Sequence, residues 1–212
     1  MTSSSVARRR QHKGVSASYL EQCDYIVQSA RKLYELQGIR KTSLADVARE
    51  ANMTRELIYY YFKGKDDITN GVLDSYVHDA VDTVRLLCDT WETRDGVFDD
   101  LRYRGFVIDC VASIRRFAFL QTGEKRPFFL VVRELNREEE IISRISEELV
   151  REVFSRPMGV QLSRRSPHVD ERQWPDYVKF LLFGTIGVMS VGNAQNDDTI
   201  ADLLLVMENG SV

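Results

Sequence analysis

The stretch TSLADVAREANMTRELIYYYFKGK, residues 42–65, predicts two short helices joined by a tight turn. Ser43 can cap the first helix, residues 43–51, because an acidic residue follows three positions later. Thr54 can cap the second helix, residues 54–62, in the same way as other hydroxyl residues at helix starts. Two short helices with this connection form a helix-turn-helix pattern.

The second of these helices has an unusual outer surface. Successive helical residues advance by about 100° around the axis, so Ile58, Tyr61 and Phe62 share one side that can be buried. The opposite side collects two phenols, a cation and a carboxylate: Arg55, Glu56, Tyr59 and Tyr60. Single exposed aromatic residues are common, but this cluster indicates a binding partner.

Double-stranded DNA is the partner that this pattern favours. In a helix-turn-helix the second helix lies in the major groove, where an arginine such as Arg55 can read guanine and tyrosines can contact phosphates or thymine methyl groups. Residues at helix N-termini lie where backbone N–H groups attract phosphate, and a nearby lysine adds a further contact. The predicted DNA-binding residues are Thr42, Ser43, Thr54, Arg55, Glu56, Tyr59, Tyr60 and Lys65.

Charge distribution agrees with a polyanionic partner for one end of the chain. Residues 1–65 hold 12 Lys/Arg and 6 Asp/Glu, whereas the whole chain of 212 residues has a net charge of −3. Residues 1–18, which contain three consecutive arginines, predict a flexible basic arm. Three widely spaced cysteines, no apolar signal region and no apolar run of about 20 residues lead us to expect a cytoplasmic protein with no membrane span.

Helical periodicity continues along the rest of the chain, and no segment alternates as a strand would. The fold is predicted to be all-α, with an N-terminal three-helix domain at 19–65 and a helical body at 66–212. Asn136 resembles a helix cap, residues 155–170 resemble a mobile connection, and the last two helices are expected at about 171–194 and 197–208.

Residues 26–68 resemble the DNA-binding domain of tetracycline-repressor (TetR) family transcriptional regulators. The resemblance is carried by these residues at their joint spacing: Ala30, Leu33, Tyr34, Gly38, Ile39, Thr42, Ser43, Asp46, Val47, Ala48, Ala51, Thr54, Tyr59, Tyr60, Tyr61, Phe62 and Lys65. Two positions depart from the family pattern. Asn52 stands where the turn usually has glycine, and asparagine is the next-best residue for a left-handed backbone. Glu56 stands where a small residue is usual, and it is expected to accept from a cytosine amine or to orient Arg55.

This resemblance implies a homodimer through the last two helices, about 171–208, and a helical effector-binding and dimerisation domain. The apolar segment 177–191 supports an interface, although it could also be a central helix within one subunit. An unknown small-molecule effector is implied, and its predicted pocket residues are Trp91, Phe106, Cys110, Phe117, Phe128 and Phe129; each could equally be an ordinary core residue. Arg115 or Arg133 near such a pocket would favour an anionic effector.

Other classes of function fit less well. Enzymatic activity is not expected, because His12, His78 and His168 are not near a catalytic motif and no phosphate-binding glycine loop is present. No cofactor or metal is expected either, since the acidic run at 138–140 suits a helix N-terminus. A closer alternative is a nucleoid-associated or protein-regulated DNA-binding factor without a small-molecule ligand. In another alternative, the aromatic helix docks against a protein.

Overall fold

The computed structural model describes residues 17–92, 99–191 and 196–208. The predicted basic arm, 1–18, lies outside the described residues except for its last two positions. Within the described part of the chain no helix is both long enough and apolar enough to cross a membrane.

Ten α-helices make up the described residues. In chain order they are α1 Ala17–Gln37, α2 Leu44–Glu50, α3 Arg55–Tyr61, α4 Lys65–Glu92, α5 Asp100–Ala118, α6 Pro127–Glu134, α7 Glu138–Phe154, α8 Pro157–Arg165, α9 Trp174–Ser190 and α10 Asp197–Glu208, with a single 3-10 turn, Glu171–Gln173, before α9. One isolated antiparallel bridge joins Phe119 and Lys125, and the described residues contain no strand. The all-α prediction is confirmed.

The described helices belong to two compact units. The first contains the described residues up to His78 together with Pro127–Glu138, and the second contains Asp79–Arg126 and the described residues from Glu139 onward. The predicted domains, by contrast, were contiguous in sequence.

Apolar side chains at helical spacing form the core of the first unit. Helix α1 buries Cys23, Ile26, Ala30 and Tyr34, which recur every three or four residues. The two short helices and α4 complete this core with Val47, Ile58, Phe62, Ile68 and Leu73, each no more than 1% exposed. The Tyr34 hydroxyl pairs with Thr69 at 3.0 Å, which satisfies a buried polar group.

Helix α6 belongs to this first unit although it is distant from it in sequence. It packs against α1, and its Phe128 ring lies 4.8 Å from that of Tyr76. The carboxylate of Glu134 accepts the backbone N–H groups of Ile39 and Arg40, at 3.0 and 2.9 Å. These bonds fix the segment that follows α1. That segment begins at Gly38, whose φ of +85° is readily adopted only by glycine.

In the second unit, α5 packs against α9 and α10. It buries Tyr103, Phe106, Val107 and Val111. Two arginines of α5 also reach α10: Arg104 pairs with Asp202 at 2.7 Å and Arg115 with Asp197 at 2.6 Å.

Two local predictions are wrong. Residues 155–170 contain helix α8, because Pro157 occupies a first-turn position where its missing N–H is harmless. Asn136 does not cap the next helix; its φ of 52° and its N–H bond to the Arg133 carbonyl end α6 instead.

Candidate nucleic-acid interface and apolar cavity

The turn between α2 and α3 has the predicted caps. Ser43 Oγ accepts the Asp46 N–H at 3.2 Å, and Asp46 returns the bond by accepting the Ser43 N–H at 2.9 Å. Hydrogen bonds from Ser43 hold the pKa of the Asp46 carboxyl below its usual range. Thr54 Oγ1 accepts the Leu57 N–H at 3.2 Å, and Asn52 has the left-handed φ of 52° expected from the sequence. The start and direction of α3 are therefore fixed.

The two sides of α3 differ as its sequence predicted. Ile58 is fully buried and Phe62, its C-terminal cap residue, is 1% exposed. On the other side, Tyr59 is 48% exposed and Tyr60 69% exposed. The exposed set also includes Arg55, so α3 presents two phenols beside a cation.

Arg55 is oriented by a contact with the Tyr59 side chain. Its guanidinium lies 5.7 Å from the centre of the Tyr59 ring, and its Nη2 donates to the Tyr59 hydroxyl at 3.4 Å. Hydrogen bonds from the Glu56 backbone N–H and from Thr54 lower the pKa of the Glu56 carboxyl. Glu56 therefore complements the positive N-terminus of α3.

Two predicted phosphate contacts have other partners. Thr42 is 1% exposed; its hydroxyl donates to the Gly38 carbonyl at 2.8 Å, so its side chain is removed from the proposed DNA contacts. Lys65 Nζ donates to the Ile39 carbonyl at 2.6 Å, which leaves two of its three protons for a phosphate.

An aromatic group beside α3 was not anticipated. The Tyr19 ring of α1 lies 5.0 Å from that of Tyr61 and 6.0 Å from that of Tyr60. Tyr60 and Tyr61 are themselves in edge contact at 5.0 Å. This contact supports the exposed Tyr60 ring from behind. Helical periodicity within α1 alone gave no signal for it.

The second unit contains an apolar cavity of about 210 Å³. Its described walls come from α4, α5, α7, α8, α9 and α10, with Phe106, Val111, Ile145 and Leu181 among the lining side chains. No Asp, Glu, Lys, Arg or His is among the described lining residues.

Three of the six predicted pocket residues line this cavity: Phe106, Cys110 and Phe117. Trp91 lies next to it, with its ring 6.1 Å from that of Phe106 and its Nε1 donating to Asp109 at 3.0 Å. The other two, Phe128 and Phe129, belong to the first unit.

Neither arginine considered for an anionic effector lines the cavity. Arg115 is paired with Asp197, and Arg133 is exposed on α6 in the first unit. Sequence reasoning also missed the contributions of α7 and α9 to the walls. The sequence predicted the apolar residues of these helices as ordinary core, because periodicity identifies a buried face but does not show whether that face borders a cavity.

Helix α9 exposes a stripe of large apolar residues in the single chain. Phe180, Phe183 and Val188 are 58%, 45% and 43% exposed, and the residue that caps the end of α9, Val191, is 79% exposed. A Cβ added at Gly184 or at Gly187 on the same helix would meet no described atom within 4 Å. On α10, Leu203 and Val206 are about half exposed. Contiguous apolar surface of this kind marks interaction sites.

Comparisons with known proteins agree with this architecture. The family model described as "Bacterial regulatory proteins, tetR family" matches residues 26–72. The chain is 44% identical over 55 residues to the HTH-type transcriptional regulator HbdR of Aromatoleum sp., a match covering 24% of each chain. It is 35% identical over 57 residues to the HTH-type transcriptional regulator TtgR of Pseudomonas putida, covering 27% of each. These matches thus span only about a quarter of the curated relatives.

The likeness in fold extends over most of the chain. A putative TetR-family transcriptional regulator from Mesorhizobium loti has a TM-score of 0.63 at 12% identity, covering 91% of this chain and 98% of that one. Identity at this level shows the fold alone, whereas the sequence match at 26–72 identifies the N-terminal helices. Residues 26–72 therefore match the tetR family of bacterial regulatory proteins, and the fold of the chain is similar to that of a TetR-family regulator.

Proposed function

We propose that this protein is a sequence-specific DNA-binding transcriptional regulator that uses α3 as its recognition helix. The observation that carries the proposal is the exposed face of α3, where Arg55, Tyr59 and Tyr60 stand on a rigidly capped helix. Arginine in the major groove reads guanine through two hydrogen bonds, and tyrosines add contacts to phosphate or thymine methyl groups. Ser43, Thr54 and Lys65 complete the proposed contact set, and Glu56 acts by holding the start of α3.

We further infer that the protein acts as a homodimer. The exposed stripe of α9, together with Leu203 and Val206 of α10, supports a second copy of the chain as its partner. Such pairing of helices would remove large apolar side chains from water. In dimeric helix-turn-helix proteins the two recognition helices lie about 34 Å apart and match two half-sites of a palindrome.

Regulation by a small molecule is the third part of the proposal. The apolar cavity of the second unit supports a bound effector, whose occupancy would change operator affinity, most simply by releasing a repressor. A coupling of about 1–3 kcal/mol would change that affinity about 5- to 150-fold. The alternative, a DNA-binding protein without a ligand, predicts operator binding that no small molecule alters.

Selection of bound duplexes from a random DNA pool, at two salt concentrations, tests the central claim. A palindromic motif with half-sites about one helical turn apart would support a dimeric regulator. Affinity should fall steeply with salt, because each phosphate contact releases counterions. Recovery of unselected or merely A·T-rich duplexes would favour a nucleoid-associated role, and no recovery at low salt would contradict DNA binding.

A further inference from the structure

The cavity of the second unit is lined by side chains that cannot compensate a charge. Its described walls are aliphatic and aromatic, apart from a few hydroxyl groups, a thiol and an indole. Burying an ionised carboxylate or ammonium group without a partner is very costly. The walls therefore favour an uncharged occupant.

The small hydroxyl groups of the wall are not equivalent. Thr83 Oγ1 donates to the Asp79 carbonyl at 2.8 Å, and Ser113 Oγ donates to the Asp109 carbonyl at 2.7 Å. Each bond reaches back four residues along its helix, which is a common arrangement for a Ser or Thr hydroxyl within a helix. Thr185 Oγ1 is also buried, but it has no hydrogen-bond partner among the described residues.

Such an unpaired hydroxyl is an exception in a folded protein. Most buried polar side-chain atoms have a partner, and leaving one unpaired destabilises the folded state. Thr185 lies in the middle of α9, is 2% exposed and lines the cavity together with Leu181 and Ile186. A ligand in the cavity could supply the missing partner.

We propose that the cavity takes an uncharged, largely hydrocarbon molecule with one hydrogen-bonding group, and that this group pairs with the Thr185 hydroxyl. The inference rests on the proposed function, whose effector it assigns to a chemical class. It differs from the anionic effector that Arg115 or Arg133 would have favoured if either had been near the pocket.

The size of the cavity limits the occupant further. Its volume of about 210 Å³ exceeds the roughly 150 Å³ of an engineered apolar cavity that binds benzene. It is smaller than the pockets of roughly 300–1,000 Å³ that hold drug-sized ligands. One or two fused rings, or a chain of similar bulk, would fit without rearrangement.

The test uses probes that differ only in their polar group. Binding of 1-naphthol, naphthalene and 1-naphthoate to the full chain would be measured by calorimetry at pH 7, with 1-octanol and octanoate as a second shape. We expect both alcohols to bind, and each carboxylate to bind at least about tenfold more weakly than its alcohol, because its charge must be lost or buried.

Two matched variants locate the hydrogen bond. Thr185→Val removes the unpaired hydroxyl, whereas Thr83→Val removes one that already has a partner in the same wall. Thr185→Val should weaken 1-naphthol binding about 3- to 10-fold and leave naphthalene binding unchanged. Thr83→Val should affect neither probe.

The assignment would be overturned if the carboxylates bound as tightly as the alcohols, or if neither 1-naphthol nor 1-octanol bound up to its solubility limit. It would also be overturned if the two variants changed 1-naphthol affinity equally. Operator binding measured on the same samples separates this inference from the proposed function. Intact operator binding without alcohol binding would refute only the ligand class. Alcohol binding that leaves operator affinity unchanged would refute only the effector role.

Discussion

Glu134 Oε2 accepts the backbone N–H of Ile39 at 3.0 Å, although 95 residues separate the two in sequence. Its other oxygen accepts the N–H of Arg40 at 2.9 Å. One carboxylate at the end of α6 therefore satisfies two backbone donors in the chain that leads from α1 to the helix-turn-helix. A Cβ at Gly38 would lie 3.0 Å from Glu134 Oε2, so little space separates the two.

Glu134→Gln is expected to destabilise the first unit. The amide can accept only one of the two N–H groups and turns its own donors towards the other. Because hydrogen bonds to charged groups contribute about 1.5–3 kcal/mol and this carboxylate is partly exposed, we expect a loss of about 1–2 kcal/mol in the free energy of unfolding. Urea denaturation measures this change in the free energy of unfolding. Glu139→Gln, on an 86% exposed side chain, is the control and should change stability little.

Arg55→Ala should weaken operator binding by about 1–3 kcal/mol and relax the preference at one base position. Tyr59→Ala should weaken binding to all duplexes, because it removes a proposed phosphate or methyl contact and the ring that orients Arg55. Lys32→Ala is the charge control, since that ammonium is held by Glu50 at 2.6 Å. Full affinity and full base preference in both α3 variants, measured by fluorescence anisotropy, would reject α3 as the recognition helix.

Thr185→Val should raise the stability of the ligand-free protein, whereas most core substitutions lower it. The variant removes a buried hydroxyl without a described partner, whose burial costs about 1–3 kcal/mol. Thr83→Val should be neutral or slightly destabilising, because it deletes a satisfied bond to Asp79. Thermal unfolding of the two variants side by side measures the difference. A lower midpoint for Thr185→Val than for Thr83→Val would show that the Thr185 hydroxyl is paired in solution.

Gly187→Ala separates the folding of one chain from its association with another. The added methyl meets nothing within 4 Å in the single chain, and alanine is favoured over glycine in a helix by up to about 1 kcal/mol. The monomer should therefore fold at least as well, while close approach of a second α9 is obstructed. Sedimentation velocity over a range of concentrations should show weaker dimerisation. Gly64→Ala is the control, because its added methyl is equally uncrowded but lies in the first unit, and it should leave dimerisation unchanged.

The ion pairs of Glu152 predict how stability depends on pH. Hydrogen bonds from Arg85 and then Arg156 hold the pKa of the Glu152 carboxyl below its ordinary value of 4.5. Its contribution to stability is therefore present above about pH 4.5 and is lost as pH falls through the lower folded-state value. Arg85→Gln should destabilise the protein more at pH 7 than at pH 3, as read from urea midpoints. An equal loss at both pH values would mean that the Arg85–Glu152 pair does not stabilise the fold.

Local signals in the sequence specify the helices of the first unit and the orientation of α3. These signals act within a few residues, so their effects can be derived without knowing the rest of the chain. They are the caps Ser43 and Thr54, the left-handed Asn52, and the spacing of Ile58 and Phe62. The same local signals separated the buried side of α3 from its exposed tyrosines.

Tertiary structure decided which side chains meet across long separations. Three findings depend on how distant helices pack: Glu134 binds the chain after α1, Thr42 is buried, and Thr185 lines a cavity without a partner among the described residues. Periodicity marks Phe117 and Phe128 alike as buried, but only packing places the first in the cavity wall and the second beside Tyr76. Hydrophobic burial is non-directional, so a sequence specifies which face is covered while the packed fold selects what covers it.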